Sequence, residues 1–456
     1  MAEPELPLRA RAACAVSNLT RKALHLLGHG GTNLPGALAL RLCPDLPALL
    51  ARGVRVLAVS GTNGKTTTCR MIAAGLSAAG VPFIANRSGA NLRAGVTAEL
   101  AANIRRGRPV KRAAVLECDE AALKTLAGEL KPEVLLFTNV FRDQLDRYGE
   151  VTHTRAELES AAGSAPDAVL CLNADDSLVA SLSPEGGRRV RFYGVGEGVP
   201  GLRAPERSDA PNCIRCGQRY EYDYVTYAHL GGFSCPRCGW RRPRPDVEAT
   251  ALSLSPEGGG IELRIGAERA PQTVPLPEIH NLYNYLAAVC ALDAFGVPPE
   301  TIRALAPSAP AFGRMERFPI GRGVTMLLVK NPTGAVRALD YLAEQEADFD
   351  LMCCLNDGAQ DGRDVSWIWD VPLERLAALA HLRTVYVSGT RRGDLLLRLK
   401  HAGLPAGTLH PVERDRAFLR RVSAEARPLA VVPTYTAMMR LRPVLAHRTG
   451  QRDFWE

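Results

Sequence analysis

Short apolar runs that end in a polar side chain recur along the first half of the chain and alternate with stretches of helical periodicity. Val54-Arg55-Val56-Leu57-Ala58-Val59 reads as a buried strand, and the segment from Lys65 to about Ala79 as the helix after it. Ala113–Glu117, Val134–Asn139 and Ala168–Asn173 repeat the strand pattern. Strands alternating with helices predict βαβ units and a parallel sheet. Ligands of such sheets sit beyond the carboxyl ends of the strands, where Glu117, Asn139 and Asn173 stand. Residues 10–50 look helical and loop-like, with Leu24, Leu26, Leu27, Leu38, Leu40 and Leu42 as apolar positions. The alternation breaks at about 200–245, a stretch rich in Pro, Gly and Cys, then resumes through 250–265 and a helix from about Asn281 to Phe295. Ala306-Pro307-Ser308-Ala309-Pro310 marks a boundary, and a second α/β pattern follows, with strands near Thr325–Val329, Leu351–Leu355, Thr384–Ser388 and Leu429–Val432.

Composition adds limits. Of 456 residues, 46% are apolar and 23% charged, which is ordinary for a globular protein. No apolar run approaches the roughly 20 residues that span a bilayer, and Met1-Ala2-Glu3-Pro4-Glu5 lacks the features of a signal peptide; a cytoplasmic protein is expected. The net charge of +8 is a mild excess. Arg105-Arg106-Gly107-Arg108 and Arg241-Arg242-Pro243-Arg244 are patches able to attract phosphates, nucleic acid or an anionic membrane surface, although solvated loops are the commoner outcome. The 12 cysteines do not form a disulfide framework. Eight are scattered, several in apolar runs (Cys171, Cys290, Cys353, Cys354), as buried free thiols are.

The first chemistry lies at Ser60-Gly61-Thr62-Asn63-Gly64-Lys65-Thr66-Thr67-Thr68, between strand and helix. Glycines let backbone N–H groups converge on phosphate oxygens, the helix N-terminus adds positive potential and Lys65 supplies a point charge. Thr66 offers its hydroxyl to Mg²⁺. Gly61, Thr62, Asn63, Gly64, Lys65, Thr66 and Thr67 are therefore the candidate ATP-binding residues. The strict G-x-x-x-x-G-K-[ST] pattern is missed, because Val59 stands at its first Gly.

The second is Cys213-x-x-Cys216, eighteen residues, then Cys235-x-x-Cys238, which has zinc spacing. Gly217 and Gly239 follow the two pairs and ease the turns that point thiolates at one ion. Four cysteines close the tetrahedron, so the zinc is structural. Tyr220, Tyr222, Tyr224 and Tyr227 between the pairs suggest a small β ribbon.

Gly-Thr-Asn-Gly-Lys-Thr-Thr at 61–67 resembles the Mur ligase superfamily, ATP-dependent ligases that join amino groups to carboxylates. Other matches follow in family order. Glu117 sits where the family keeps a Mg²⁺-binding glutamate. Thr138-Asn139-Val140-Phe141-Arg142-Asp143-Gln144-Leu145-Asp146 resembles T-N-x-x-x-D-H-L-D, with Gln144 for the His. His280-Asn281-Leu282-Tyr283-Asn284 is similar to H-N-x-x-N, whose His helps organise Mg²⁺ and whose first Asn meets adenine. Gly313-Arg314-Met315-Glu316 is similar to G-R-x-E, whose Arg reaches the phosphates. The resemblance thus implies Lys65, Arg314, Thr66, Glu117 and His280 around one triphosphate, with Asn281 at the base. The family's D-Y-A-H-x-P is replaced by Leu327-Leu328-Val329-Lys330-Asn331-Pro332, which removes its Asp and His.

The four-cysteine insertion, the acidic loop Asn356-Asp357-Gly358-Ala359-Gln360-Asp361-Gly362-Arg363-Asp364-Val365-Ser366-Trp367-Ile368-Trp369 and Pro433-Thr434-Tyr435-Thr436-Ala437-Met438 narrow the resemblance to the MurT family of lipid II isoglutaminyl synthase subunits. That resemblance implies a GatD-like glutaminase as partner in a heterodimer, and amidation through an acyl phosphate of the α-carboxylate of D-glutamate in lipid II at the inner membrane face. It also implies that an Asp of the acidic loop completes the partner's Cys–His pair, with Asp357 the first choice and Asp361 and Asp364 behind. The fold expected is α/β: an N-terminal helical segment (1–53) packed on a Mur ligase central ATP-binding domain (54–305), a zinc ribbon inserted at 205–245, and a C-terminal Rossmann-like α/β domain (311–456). With the loop beginning at residue 60, no UDP-sugar-binding module of about a hundred residues is expected ahead of it, and no Cys–His glutaminase is recognisable in the chain. Two rival readings remain: a Mur-type amino-acid ligase on another carboxylate, and an ATP-switched zinc-ribbon module binding nucleic acid.

Overall fold

A computed structural model describes the chain except for residues 1–5, 27–32, 87–89, 142–149, 185–188, 197–209, 256–257, 275–278, 306–314, 330–331, 359–360, 423–425 and 451–456. It divides into two compact units, one holding most of residues 1–309 and one holding residues 310–456.

The first unit opens with helices α1 (Leu8–Leu26), α2 (Leu34–Leu42) and α3 (Leu46–Leu50). There follow β1 (Arg55–Ser60), α4 (Lys65–Ala78), β2 (Phe83–Ala85), α5 (Arg93–Ala102), the hairpin β3 (Ile104–Arg105) and β4 (Arg108–Pro109), β5 (Ala113–Glu117), α6 (Glu120–Leu130), β6 (Val134–Phe137), α7 (Glu150–Ser164), β7 (Val169–Asn173), α8 (Ser177–Ala180) and β8 (Val190–Val195). The ribbon hairpin is β9 (Glu221–Tyr227) and β10 (Leu230–Ser234). After it come β11 (Val247–Ser255), β12 (Gly258–Ile265), β13 (Glu268–Val274), α9 (Ile279–Ala294) and α10 (Pro299–Arg303).

Nine of these strands form one sheet in the order β13-β12-β11-β8-β7-β6-β1-β5-β2. From β2 to β11 every pairing is parallel. β1 shows why its run is apolar throughout. Val56 and Ala58 enter the core beneath α1–α3, α6 and α7, while Leu57 and Val59 enter the core beneath α4 and α9. The expected resumption of alternation at 250–265 takes another form, an antiparallel β11–β12–β13 meander. Only Gly266 and Ala267 join β12 to β13, with Gly266 at φ +60°, and a link that short permits a hairpin but no crossover helix.

The second unit contains β14 (Met315–Phe318), β15 (Val324–Leu327), α11 (Pro332–Ala343), β16 (Phe349–Cys354), α12 (Glu374–Ala377), β17 (Leu382–Ser388), α13 (Arg392–His401), β18 (Leu409–Pro411), α14 (Asp415–Arg421), β19 (Leu429–Pro433) and α15 (Tyr435–Thr449). Its sheet runs β14-β15-β19-β16-β17-β18, parallel except for the β14–β15 pair. Among the described residues no helix is long and apolar enough to cross a membrane.

Candidate active site and metal centre

In the large sheet β5 and β2 lie on one side of β1, and β6 and β7 on the other. The connections diverge at β1, and the crevice this opens beyond the strand ends is where α/β sheets bind ligands. The loop 61–64 lies there. Gly61 has φ +121° and Gly64 φ +85°; a Cβ at Gly61 would stand 2.4 Å from Thr138 Oγ1, and one at Gly64 2.0 Å from Asn284 Oδ1. Both glycines are thus required by conformation and by space.

Residues 138–141 brace the loop. Thr62 N donates to Asn139 O at 2.9 Å, Asn63 N to Asn139 Oδ1 at 2.9 Å, and Asn139 Nδ2 returns a bond to Asn63 O at 3.1 Å. Phe141 N donates to Thr62 Oγ1 at 3.1 Å. The Thr-Asn of the sequence motif therefore shapes the loop. Its remainder, Arg142 to Asp146, lies outside the described residues, as does Arg314.

Lys65 heads α4, and its ammonium donates to Gly61 O and to Glu120 Oε1, the latter at 2.9 Å. Thr66 Oγ1 donates to Glu117 Oε2 at 2.8 Å, so the structure brings these two Mg²⁺ candidates together. Glu117 is buried at the end of β5, and its backbone is clamped by Asn86, which accepts from Glu117 N at 2.8 Å and donates to Glu117 O at 2.7 Å. His280 and Asn281 are buried in the first turn of α9, which packs against α4. Asn281 Oδ1 is buried and has no hydrogen-bond partner among the described residues. A buried orphan acceptor is costly and fits a donor brought by a ligand. A hydroxyl and a carboxylate in contact are hard oxygen donors and suit Mg²⁺.

The four cysteines meet. All four sulfurs lie within 4.8 Å of one another, with Cys213–Cys238 and Cys216–Cys235 at 3.5 Å. The two halves are alike: Gly217 N donates to Cys213 O at 2.8 Å and Gly239 N to Cys235 O at 3.0 Å, with Gly217 at φ +76° and Gly239 at φ +73°. Burial pushes the Cys235 thiol up, but backbone N–H groups of Cys238 and Arg237 and the neighbouring thiols outweigh it and bring it down to about 6. Four soft donors converging this way fit a tetrahedral zinc. The tyrosine-rich stretch between the pairs forms the β9–β10 hairpin.

The ribbon is tied to the sheet by residues the sequence reading passed over. Asp175, fully buried, accepts from Arg242 Nε at 2.6 Å, Tyr283 Oη at 2.6 Å and Val195 N at 2.8 Å. Burial still holds its carboxyl above the usual range. Asp176 caps α8 and accepts from Val140 N at 2.8 Å. His229, at the ribbon hairpin's turn, is buried with its ring 4.7 Å from that of Phe141. The polar run Asn173-Ala174-Asp175-Asp176 at a strand end was a readable signal for the two aspartates; nothing local marked Asn86 or His229.

In the second unit the three candidate aspartates differ. Asp361 accepts from Thr436 N at 2.7 Å and Gly358 N at 3.2 Å, holding its own loop. Asp364 accepts from Ser366 N at 2.8 Å at the start of a short 3₁₀ turn. Asp357 is half-buried, accepts from Thr390 Oγ1 at 2.8 Å and lies 3.4 Å from Arg391; these hold its carboxyl below the usual range. Trp367 is buried beneath the loop and Trp369 is half exposed.

Comparison with known proteins agrees with this geometry. The Mur ligase middle domain matches residues 59–213, and the MurT ligase C-terminal domain matches residues 328–438. The chain is 33% identical, over 94% of its length and 96% of the relative's, to the MurT subunit of lipid II isoglutaminyl synthase (glutamine-hydrolyzing) from Staphylococcus aureus strain COL. The chain belongs to the MurT family of Mur ligases. The MurT subunit from Streptococcus pneumoniae is 32% identical over 93% of this chain and 94% of its own. Among solved structures, MurF from Acinetobacter baumannii shares the fold at a TM-score of 0.65 and 19% identity, covering 91% of this chain and 80% of that one. MurF from Thermotoga maritima, solved in complex with ADP, has a TM-score of 0.57 at 13% identity, covering 90% and 84%. As a MurT family member this chain is an ATP-dependent ligase, and a family whose members are named subunits implies a partner subunit.

Proposed function

We propose that this chain is the synthetase subunit of an amidotransferase that converts the α-carboxylate of D-glutamate in the lipid II stem peptide to the amide of D-isoglutamine. The carboxylate oxygen attacks the γ-phosphorus of ATP, ADP leaves, and ammonia displaces phosphate from the acyl phosphate. Lys65 and the N–H groups of residues 61–67 hold the triphosphate and its developing charge; Asn281 offers the adenine an acceptor, and Arg314 is the second cation. Thr66, Glu117 and His280 would hold Mg²⁺, which would neutralise phosphate charge, and Cys213, Cys216, Cys235 and Cys238 would hold a structural Zn²⁺.

Ammonia comes from a GatD-like glutaminase in a heterodimer. Asp357 orients the glutaminase histidine. Such a role needs an ionised carboxylate, and Thr390 and Arg391 favour the ionised form. The observation that carries the reading is relatedness to MurT subunits along 94% of the chain.

The test is reconstitution with a GatD-like subunit, lipid II, glutamine and ATP. Amidated product is expected, and Asp357→Asn should spare ATP binding while depressing glutamine hydrolysis. If the chain alone ligates an amino acid, and a glutaminase adds nothing, the amidotransferase reading fails.

A further inference from the structure

Helix α1 has two opposed faces. Ala10, Ala13, Cys14 and Ser17 are buried where the helix packs on α2 and α5. The opposite face carries Leu8, Leu19 and Leu26, which are 82%, 67% and 87% exposed. At 3.6 residues per turn, the step from Leu8 to Leu26 is five full turns, and Leu19 falls about 20° from their line. Exposed Ala12, Ala15 and Ala23 flank the same stripe. Single exposed leucines are unremarkable, but three in register over about 27 Å mark a contact surface.

The two segments that carry and border this stripe hold charge of one sign. Helix α1 contains Arg9, Arg11, Arg21 and Lys22 and no acidic residue; segment 104–112 contains Arg105, Arg106, Arg108, Lys111 and Arg112 and none. The two segments therefore hold nine basic side chains, one more than the net +8 of the whole chain, and the rest of the chain is close to neutral. They are also neighbours. Leu6 N donates to Gly107 O at 3.3 Å, and a Cβ at Gly107 would lie 3.6 Å from Arg11 Nε. The β3–β4 turn is two residues, Arg106 at φ +49° and Gly107 at φ +76°, which sets Arg105 and Arg108 side by side on an exposed edge with Val110. Asp45 pairs with Arg9 and Glu99 with Arg21, whereas Lys22, Arg105, Arg106 and Lys111 form no ion pair among the described residues.

We propose that the outer face of α1 and the adjoining basic edge at 104–112 form a docking surface for an anionic lipid bilayer, with Leu8, Leu19 and Leu26 entering the headgroup boundary. An apolar stripe bordered by lysine and arginine is the composition of a helix that lies in a membrane interface, and clustered basic residues are drawn to anionic lipid. A second copy of the chain fits less well. Pairing this face with itself would bring Arg11 and Lys22 against like charges, and the alanines leave little to interdigitate. The inference rests on the proposed function in one respect: a lipid-linked substrate gives the surface its purpose.

The full chain should co-sediment with vesicles of phosphatidylcholine mixed with phosphatidylglycerol, not with phosphatidylcholine alone, and added salt should weaken the binding. Leu8→Ser with Leu19→Ser and Leu26→Ser, and separately Arg105→Glu with Arg106→Asn and Lys111→Glu, should each lower the partition about tenfold or more. ATP binding serves as the folding control, since none of these residues lies in the phosphate loop or ribbon. The proposal is overturned if wild type does not discriminate the two vesicle types, or if both sets of variants bind like wild type. It is also overturned if the leucine variants dissolve a dimer, or a complex with the glutaminase, while vesicle binding persists. With a GatD-like subunit present, amidation of vesicle-embedded lipid II should fall in both sets while a short-chain soluble analogue is amidated normally. Amidation of neither substrate by wild type would sink the functional reading, and vesicle partition would still decide this one.

Discussion

Replacing Glu120 by glutamine should tighten nucleotide binding. The Lys65 ammonium is 2.9 Å from Glu120, with side-chain exposures of only 14% and 18%. A hydrogen bond between charged partners largely out of water contributes about 1.5–3 kcal/mol. To meet phosphate oxygens, Lys65 must exchange this contact for the new one, so the pair opposes binding by part of that amount. Glutamine keeps the shape and a weaker acceptor; if it loses about 1–2 kcal/mol of the interaction, ATP affinity rises roughly 5- to 30-fold. The same substitution should lower the stability of the nucleotide-free protein by a similar amount, because Lys65 is left with a poorer partner. Titration calorimetry with ADP or a non-hydrolysable ATP analogue, together with thermal unfolding in the absence of nucleotide, reads both effects. Unchanged or weaker binding would refute the reasoning and mean that Glu120 acts in the nucleotide-bound state.

Four further outcomes are expected. Gly64→Ala should weaken ATP binding, since the left-handed backbone costs alanine about 1–2 kcal/mol and the methyl meets Asn284 Oδ1 at 2.0 Å; in an Asn284→Ala background only the backbone part should remain, which a double-mutant cycle in ATP affinity measures. Cys213→Ser, or treatment with a strong chelator, should remove one zinc per chain by elemental analysis and lower the unfolding temperature; ATP affinity should fall too, because His229 of the ribbon packs on Phe141, which bonds Thr62. Asp175→Ala should cost up to about 3–5 kcal/mol, because it removes the carboxylate 2.6 Å from Arg242 and leaves that charge only Glu248 at 3.5 Å, and Arg242→Met in the same chain should recover part of the loss in urea unfolding. Hydrogen bonds from Arg383 and His381 hold the Asp348 carboxyl down to about 2. A depressed carboxyl stabilises above its unfolded value of about 3.9 and loses that contribution as pH falls through the folded one. Asp348→Asn should therefore be destabilising at pH 6, with a difference from wild type that closes toward pH 2 in a pH series of unfolding curves.

What could be read in advance followed physical periodicity. β1, α4, β5, β6 and β7 are continuous apolar or helical segments whose partners are dictated by βαβ geometry, and their ends delivered Lys65, Thr66 and Glu117 to one crevice. The ribbon was legible because cysteine spacing is itself a geometric statement. The meander at 247–274 was not, because alternation at two-residue spacing looks alike in parallel and antiparallel strands, and only the loop length separates them. Glu120, Asn86 and His229 were hidden for another reason: each acts on a residue distant in sequence, and nothing in its own neighbourhood encodes that meeting. Asp361 and Asp364 stood behind Asp357 by resemblance alone; in the fold the first holds Thr436 and the second opens a 3₁₀ turn, contacts that no sequence spacing announces.

The proposed reaction is phosphorylation of a carboxylate by ATP, followed by conversion of the acyl phosphate to an amide by ammonia. Lipid II carrying ¹⁸O at both oxygens of the α-carboxylate of D-glutamate tests it most directly, with ammonia and ATP supplied and the inorganic phosphate analysed by mass spectrometry. One ¹⁸O per phosphate released is expected, in step with amide formed. Label appearing in AMP, or phosphate released without label while amide accumulates, would contradict it.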